Sequence, residues 1–336
     1  MSHHADTQSM KAVVLHSDVP EDAGMDEKDA LVQAGVVSSA LSELGYECTI
    51  MPFSLNCAHI IDVLRDLRPA FVFNIVETMA GHGSLIHVAP SILDFLRIPY
   101  TGATTEAMFL TSNKVLAKQA LNAAGIATPQ LFLPHENYGG HFVEGTYIVK
   151  AVWEHASTWL HNDSVIHARD SHQLREAMAS RQRQLGMACF AEGFIEGREF
   201  NLSLLTGDGG PQVLAPAEIR FDDFPPGKVR VVDYLSKWVE DSFEYHHTPR
   251  CFDFPEEDSP LLLRLKDLAL QCWRVFNLRG YARVDFRIDS AGKPWVLEVN
   301  TNPCLSPDGG FYAALDRSGL RFARAIERII RDATSF

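Results

Sequence analysis

Two acids and an amide occupy facing positions in one predicted β-hairpin, residues 281–303. Side chains alternate between the two faces of a strand, so Arg283 and Asp285 share one face of the first strand. Glu298 and Asn300 lie on the same face of the second strand. If the four-residue turn between the strands is symmetric, Asp285 lies opposite Glu298 and Arg283 lies opposite Asn300. The pattern therefore predicts two carboxylates side by side across the hairpin.

Like-charge repulsion limits what this face can do. Two carboxylates directly opposite each other destabilise a hairpin, unless burial raises the pKa of one of them or a divalent cation lies between them. With the Asn300 carbonyl, Asp285 and Glu298 offer three oxygen donors, a set that suits Mg²⁺ carrying phosphate oxygens as further ligands. An ordinary solvated polar face is the alternative interpretation. The mirrored order of the charges and the rigid Asn302 and Pro303 pair favour the metal.

The second face of the hairpin is predicted to be apolar. On the first strand it carries Ala282, Val284, Phe286 and Ile288, and on the second it is expected to carry Trp295, Leu297 and Val299. We expect this face to pack against the core, which leaves the charged face for a ligand.

The elements around the hairpin follow two patterns. In the first part of the chain, short apolar strands alternate with helices at residues 11–16, 28–44, 46–51, 57–67 and 70–75. This order predicts a parallel, doubly wound sheet. The rest indicates antiparallel and mixed sheets, with a short strand at residues 98–101 and one C-terminal helix at residues 309–331. The first strand is not followed by G-x-G-x-x-G and the chain contains no G-x-x-x-x-G-K-[ST], which argues against a Rossmann dehydrogenase and a P-loop enzyme.

The composition limits the classes of partner. The 336 residues, 46% of them hydrophobic, suffice for the cores of two or three domains. The formal net charge of −13 does not supply the cationic surface that general binding to nucleic acid or anionic membranes requires. A phosphorylated ligand would therefore need a few well-placed cations and a metal.

The sequence also bears on the compartment. It has no run of 18 apolar residues, and residues 1–9 are predicted to be a disordered lead without the hydrophobic segment of a signal peptide. The six cysteines are scattered and form no C-x-x-C, which favours a reducing cytoplasm over a disulfide scaffold or a zinc site. We do not expect the adjacent His246 and His247 to bind a metal, because neighbours in a strand point to opposite faces.

Six segments resemble, in order and spacing, the D-alanine–D-alanine ligase family of the ATP-grasp superfamily. They are IPYTG (98–102), SNK (112–114), YIVK (147–150), AEGFIEGREF (191–200), GYARVDF (280–286) and LEVNTNPC (297–304). The resemblance covers nearly the whole chain. It implies an ATP-grasp fold, in which an N-terminal doubly wound parallel sheet (residues 10–108) is followed by two α+β subdomains that clasp ATP (residues 109–196 and 197–336).

The resemblance implies which residues contact the phosphates of ATP. Lys114, Lys150 and Lys237 match phosphate-binding lysines, and Lys237 lies on a segment that would close over ATP. Lys150 ends an apolar strand, where a charge is unfavourable without a partner. Glu154 and Ser157 lie in a segment, EHAS, that resembles the loop covering the phosphates.

The resemblance also implies the contacts to the nucleoside. Four consecutive residues match the adenine-binding hinge, mostly through backbone groups: Glu192, Gly193, Phe194 and Ile195. Glu199 matches the acid that holds the ribose hydroxyls, although spacing alone does not choose between Glu196 and Glu199.

At the reaction centre, the resemblance assigns Asp285, Glu298 and Asn300 as ligands of magnesium, with two Mg²⁺ ions implied and Mn²⁺ as an alternative. Arg283 and the backbone N–H of Cys304 match the groups that stabilise an oxyanion. We expect the Cys304 thiol to be a small packing group rather than a nucleophile.

The departures from the family lie among the residues expected to bind the amino-acid substrates. Residues 305–310 differ in composition from the family's substrate-binding stretch, and Trp238 stands where a tyrosine is usual. Residues 18–28 contain five acids, and none aligns securely with the acid that binds the first amino group. Glu77 is a candidate either for a substrate-amine contact or for an organising partner, against a surface acid at a strand end. Asp308 is a candidate for contacting a cationic group of the second substrate.

These features predict an ATP-dependent carboxylate–amine ligase that joins two amino acids, or an amino acid and an amine, through an acyl phosphate. Its substrate need not be D-alanine. The alternatives are a hydroxyl or intramolecular nucleophile, and a non-catalytic ATP-binding protein, against which the intact Arg283 counts. The expected partners are small amino-acid substrates, not nucleic acid or a membrane. Since family members are commonly dimers, a homodimer is one option.

Overall fold

The computed structural model describes residues 10–136, 142–153 and 160–335. Its first sheet is parallel, in the order β2-β1-β3. The strands are β1 (Lys11–Ser17), β2 (Glu47–Phe53) and β3 (Phe71–Ile75), and the helices that follow them are α1 (Met25–Glu43), α2 (Cys57–Leu67) and α3 (Val88–Leu96). Successive residues of β1 pack into two different clusters, one with α1 and one with α2 and α3. Helices on both faces confirm the doubly wound sheet.

The second sheet is antiparallel, in the order β4-β7-β5-β6. Its strands are β4 (Leu131–Phe132), β5 (Gly145–Ala151), β6 (Val165–Ala168) and β7 (Cys189–Gly193). The helices of this region are α4 (Thr105–Ser112), α5 (Lys114–Ala123) and α6 (Ser171–Leu185). The Asn113 side chain caps α5 by accepting the N–H groups of Val115 and Leu116. This cap fixes Lys114 as the first residue of α5.

The third sheet is antiparallel and carries the hairpin. Its order is β11-β10-β8-β12-β13, with β9 also paired to β8. The strands are β8 (Arg198–Leu205), β9 (Gln212–Val213), β10 (Ala217–Ile219), β11 (Arg250–Cys251), β12 (Tyr281–Ile288) and β13 (Pro294–Asn300). The accompanying helices are α7 (Tyr234–Trp238), α8 (Phe243–His246), α9 (Ser259–Val275), α10 (Gly310–Arg317) and α11 (Phe322–Thr334).

Two predictions about single elements are wrong. The C-terminal helix is divided into α10 and α11, because Gly319 adopts a left-handed backbone with φ of 69° after the end of α10. Residues 98–101 do not form a full strand, and only Tyr100 forms an isolated parallel bridge, to Val72.

The cores link the sheets to one another. One cluster packs α4, α5 and α9 against β8, β12 and β13, and another packs α1, α10 and α11 against the first sheet. The apolar face of the hairpin thereby packs against helices from earlier and later parts of the chain. Of the two predicted domain boundaries, 196/197 falls between β7 and β8 and 108/109 falls within α4; both stay predictions. No described helix is long and apolar enough to cross a membrane.

Candidate active site

The hairpin places its two acids as predicted. Asp285 pairs with Glu298 and Arg283 pairs with Asn300 across β12 and β13. Beyond this point a β-bulge shifts the register, and Leu297 is the residue of β13 without a Cα partner. The two carboxylates lie in direct cross-strand register, which is the central geometric prediction from the sequence.

The bulge makes part of the predicted apolar face wrong. Trp295 and Leu297 do not lie in the core; both are half-buried, whereas Val296 and Val299 are fully buried. One extra residue in a strand reverses the alternation of its faces. The Trp295 indole instead donates a hydrogen bond to Asp289 in the turn, at 2.8 Å.

Arg283 relieves the repulsion between the acids. Its Nε and Nη2 donate to the two carboxylate oxygens of Asp285 at 2.7 and 2.8 Å, and its Nη2 lies 3.8 Å from Glu298. Asn201 on β8 donates a third hydrogen bond to Asp285 at 2.8 Å. The sequence offered only a raised pKa or a bound cation as remedies, and the structure adds a bidentate arginine.

The two carboxyl groups have different electrostatics. Burial raises the pKa of Asp285 against the opposing charge of Arg283. Burial would also raise the pKa of Glu298, but the charges of Lys114 and Arg283, with those of Lys237 and Lys150, outweigh it and hold that pKa well below its usual range. Glu298 therefore stays ionised at neutral pH.

The three lysines predicted to bind phosphate converge on Glu298. Lys114 Nζ lies 3.5 Å from a Glu298 oxygen. Lys150 on β5 and Lys237 on α7 both act electrostatically on the same carboxylate. Lys114 thus contacts this acid, and the charges of Lys150 and Lys237 act on it from two other parts of the chain.

The predicted metal ligands fit a hard cation. Asp285, Glu298 and Asn300 offer oxygen only, and the Asn300 Oδ1 accepts one hydrogen bond, from the Asn302 N–H at 2.9 Å, which leaves a lone pair. Within the described residues there is no group of three or more His, Cys, Asp or Glu side chains that could hold a metal ion. A cation here would need the amide and ligands from outside the protein.

Lys118, a buried lysine that the sequence analysis missed, shares the Glu192 carboxylate with Lys150. Lys118 Nζ is 2.6 Å from one oxygen of Glu192, and Lys150 Nζ is 2.7 Å from the other. Lys118 and Glu192 are each 1% exposed. The spacing of four from Lys114 on a helix places Lys118 on the same side of α5, which could have drawn attention to it.

The predicted hinge and ribose residues are tied into the sheets. The N–H groups of Gly193 and Phe194 donate to the carbonyls of Gln130 and Thr146. Glu199 is buried against Arg287, its partner across β8 and β12, at 2.7 Å. The N–H groups of Gly193 and Phe194 are therefore already used within the protein.

Gly197 separates the hinge from Glu199 and cannot carry a side chain. Its φ is 144°, and a Cβ there would lie 1.9 Å from the Ile288 carbonyl oxygen. Glu196 is exposed whereas Glu199 is buried, so the two acids that spacing could not separate have different environments.

The region expected to bind the amino-acid substrates contains a network of hydrogen bonds that joins distant parts of the chain. Asp29 on α1 accepts hydrogen bonds from the Cys304 thiol at 3.1 Å, from the Ser306 hydroxyl and from Gln33 at 3.0 Å. Gln33 also donates to Glu77 at 3.1 Å. Glu77 is half-buried in this network rather than a surface acid at a strand end.

The two other substrate candidates lie on separate elements. Trp238 ends α7, next to Lys237, and is half-buried. Asp308 is exposed, and its carbonyl accepts a 2.6 Å hydrogen bond from Arg250 on β11. The positive charge of Arg250 beside Asp308 disfavours a cationic ligand group at that point.

Comparisons with known proteins identify the family of this chain. The family described as D-ala D-ala ligase C-terminus matches residues 164–331, half of the chain. The chain belongs to the D-alanine–D-alanine ligase family. It is 29% identical to the D-alanine–D-alanine ligase of Rhizobium meliloti (strain 1021), over 88% of this chain and 90% of that protein. It is also 29% identical to the D-alanine–D-alanine ligase of Synechococcus sp. (strain JA-3-3Ab), over 90% of this chain and 88% of that protein.

The fold is shared with solved members of the D-alanine–D-alanine ligase family. The crystal structure of the Bacillus anthracis enzyme complexed with ATP matches with a TM-score of 0.71 at 19% identity, over 97% of this chain and 98% of that one. The predicted ATP-grasp fold is therefore confirmed. Glu154 and Ser157, predicted to cover the phosphates, lie outside the described residues.

Cys304 offers a test of how this family member uses its cysteine. Burial, with the charge of Asp29, raises the pKa of the Cys304 thiol far above its usual range, so the thiol is not ionised at neutral pH. We expect Cys304→Ala to keep kcat within about fivefold of wild type, because the backbone N–H remains and only the two hydrogen bonds of the sulfur, to Asp29 and from the Ser306 N–H, are lost. A loss of a hundredfold or more in steady-state turnover would show that the thiol takes part in the reaction.

Glu77 gives the stability of the protein a pH dependence. Burial raises its pKa from 4.5 to about 7, with Gln33 opposing and Asp29 reinforcing the shift. Between these values the folded state binds more protons than the unfolded state, so stability falls as pH rises through the window. At roughly 1.4 kcal/mol per pKa unit, the loss attributable to Glu77 is about 3 kcal/mol.

We therefore expect the Glu77→Gln variant to lose about 3 kcal/mol less unfolding free energy than wild type between pH 4.5 and 7.5. Urea unfolding of both proteins at several pH values measures the difference, and other titrating groups cancel in the comparison. Parallel pH profiles would show that Glu77 titrates normally.

Proposed function

We propose that this protein is an ATP-dependent carboxylate–amine ligase that joins two amino acids, or an amino acid and an amine, through an acyl phosphate. The observation that carries the proposal is the convergence of Lys114, Lys150 and Lys237 on Glu298, next to the bidentate Arg283–Asp285 pair. Family membership supports it, because the relatives named above are D-alanine–D-alanine ligases. The B. anthracis relative was crystallised with ATP.

We assign the following residues to the binding of ATP and its metal ions. In this proposal the three lysines bind the phosphates, the hinge residues 192–195 bind adenine through backbone groups, and Glu199 holds the ribose. Asp285, Glu298 and Asn300 would hold Mg²⁺ or Mn²⁺, two ions in the full proposal. A bound divalent ion would neutralise phosphate charge and help to orient the γ-phosphoryl group.

The first chemical step activates a carboxylate. A carboxylate oxygen of the first substrate attacks the γ-phosphorus of ATP, the bond from this phosphorus to the β,γ-bridging oxygen breaks, and ADP leaves. The protein contributes positioning and positive charge rather than covalent chemistry. Lys114, Lys150 and Lys237 supply three cations for this step.

The second step forms the new bond. The amine of the second substrate attacks the acyl carbon and gives up one proton, and phosphate leaves with that proton and with the oxygen that came from the carboxylate. Arg283 and the N–H of Cys304 stabilise the oxyanion of the tetrahedral intermediate. The segment around α7, which carries Lys237, would exclude water that otherwise hydrolyses the acyl phosphate.

The substrates are proposed to differ from those of the housekeeping enzymes. Supporting this are Trp238 in place of tyrosine, the altered stretch at residues 305–310 and the Asp29 network behind Cys304. Asp308 stays a candidate for a substrate contact, and Asp308→Ala with unchanged substrate preference would remove it.

Phosphate release with ATP, Mg²⁺ and a panel of amino acids and amines, in both stereochemical forms, tests the proposal. The expected result is phosphate release that depends on two components of the panel, with a product whose mass equals their sum minus water. An ester or a cyclised single substrate would replace the amine by a hydroxyl or an intramolecular nucleophile. Tight ATP binding without release for any component would contradict the ligase and favour a binding protein.

A further inference from the structure

Lys118 is buried, and oxygen atoms surround its ammonium group. Its Nζ lies 2.6 Å from Glu192 and donates to Thr128 Oγ1 at 2.9 Å and to the Leu297 carbonyl at 3.1 Å. The Thr128 hydroxyl gives its own hydrogen to the Val296 carbonyl at 2.8 Å, so it can only accept from Lys118. A carboxylate ion-pair partner and two hydrogen-bond acceptors suit the three N–H donors of an ammonium group. These contacts, above all the charge of Glu192, favour the charged form of Lys118 against burial, which lowers the pKa of its ammonium group.

The same contacts connect Lys118 to the phosphate lysine on β5. Glu192 divides its two oxygens between Lys118 and Lys150. The cluster thus contains two cations and one anion, and it keeps a net charge of +1. Without Lys118, the Glu192–Lys150 pair would be neutral overall, and a phosphate near Lys150 would meet a weaker positive field.

Lys118 also reaches the strand that carries Glu298. Leu297, whose carbonyl it binds, is the bulged residue of β13 and directly precedes Glu298. A carbonyl at a bulge has lost its regular ladder partner and needs another donor. Lys118 supplies that donor from α5, the helix that begins with Lys114.

We propose that Lys118 is a positioning residue of the nucleotide site, holding Lys150 through Glu192 and holding Glu298 through the Leu297 carbonyl. The proposal rests on the proposed function, in which Lys150 and Glu298 act on ATP. Lys118 itself is enclosed by protein groups, so its proposed action on the site runs through Glu192 and the Leu297 carbonyl. It connects a phosphate lysine to a metal-binding acid.

The test compares Lys118→Met with the double variant Lys118→Met/Glu192→Met. Methionine fills similar volume without charge. The single variant leaves one Glu192 oxygen without its cation, which destabilises the fold. The double variant removes this imbalance, so its stability is expected to recover, although Lys150 still lacks its carboxylate.

We expect both variants to raise the Kd of ATP, measured calorimetrically, by about tenfold or more, as for other residues that orient a ligand-binding group. The KM of the amino-acid substrates should stay within about twofold of wild type. Lys293→Met removes one charge from the exposed turn of the same hairpin and should leave both constants unchanged. Thr128→Val, which removes one acceptor of Lys118, should raise the ATP Kd by a smaller factor, and it decides the matter if the other variants do not fold.

Wild-type ATP affinity in the folded double variant would overturn the proposal, since it would limit Lys118 to balancing Glu192. Equal increases in the ATP Kd and the amino-acid KM would also overturn it, because they would indicate general damage. Failure of the proposed ligase function would give a different result. The wild-type protein would then bind ATP without forming product, and the ATP Kd of the variants would still measure the positioning effect of Lys118.

Discussion

Replacing Arg283 by methionine is expected to lower kcat by about 10²- to 10³-fold, the typical effect of removing one oxyanion donor. Arg283 has two roles in the account. It holds Asp285 through two hydrogen bonds, and it is proposed to stabilise the oxyanion. Arg283→Lys keeps the charge but loses the bidentate geometry, so it should recover only part of the activity. Steady-state phosphate release and ATP affinity, measured on both variants, check the prediction.

The matched control for this prediction is Arg274→Met on the exposed side of α9, which should have wild-type kcat. The ATP Kd of Arg283→Met should change by much less than its kcat, because the oxyanion forms only during the reaction. A variant with wild-type kcat would remove Arg283 from the mechanism. A variant that loses ATP binding in proportion to turnover would assign it to the nucleotide instead.

Glu298→Gln is expected to raise the divalent-ion concentration needed for half-maximal activity by about 10- to 100-fold or more, since it replaces a charged ligand by a neutral one. The same change removes the anion on which Lys114, Lys150 and Lys237 converge. Binding of metal-free ATP should therefore be equal or tighter than in wild type. Opposite effects on metal-dependent turnover and metal-free binding distinguish a lost ligand from a damaged fold.

Titrations of Mg²⁺ and Mn²⁺ at saturating substrate, together with calorimetry of ATP in the presence of a chelator, measure both quantities for this variant. Glu257→Gln, on the surface just before α9, is the control and should match wild type. An unchanged metal requirement in Glu298→Gln would contradict the assignment of Glu298 as a metal ligand.

The sequence predicted the hairpin pairing correctly but not the bulge. Asp285 and Glu298 pair because the register near them follows the alternation of the strands. The bulge at Leu297 lies beside Lys118, 179 positions away in the chain. Local periodicity contains no information about a partner at that distance, so the reversed faces of Trp295 and Val296 could not be found from it.

The same distinction applies to the rest of the site. The parallel first sheet and its helices were predictable because each strand and helix has its own local pattern. The break between α10 and α11 also has a local signal in the sequence, since Gly319 is a residue type that commonly ends helices. The contacts of Asp29 with Cys304 and Ser306 join α1 to a loop 275 and 277 positions away. They depend on how the sheets pack and were not predictable from spacing.

Transfer of ¹⁸O tests the central claim, that the cations around Glu298 serve to phosphorylate a carboxylate. The first substrate is prepared with ¹⁸O in its carboxylate, and the phosphate released during product formation is analysed by mass spectrometry. We expect one ¹⁸O atom in inorganic phosphate and ADP as the nucleotide product. Unlabelled phosphate, or AMP with pyrophosphate, would contradict an acyl phosphate and with it the roles assigned to this site.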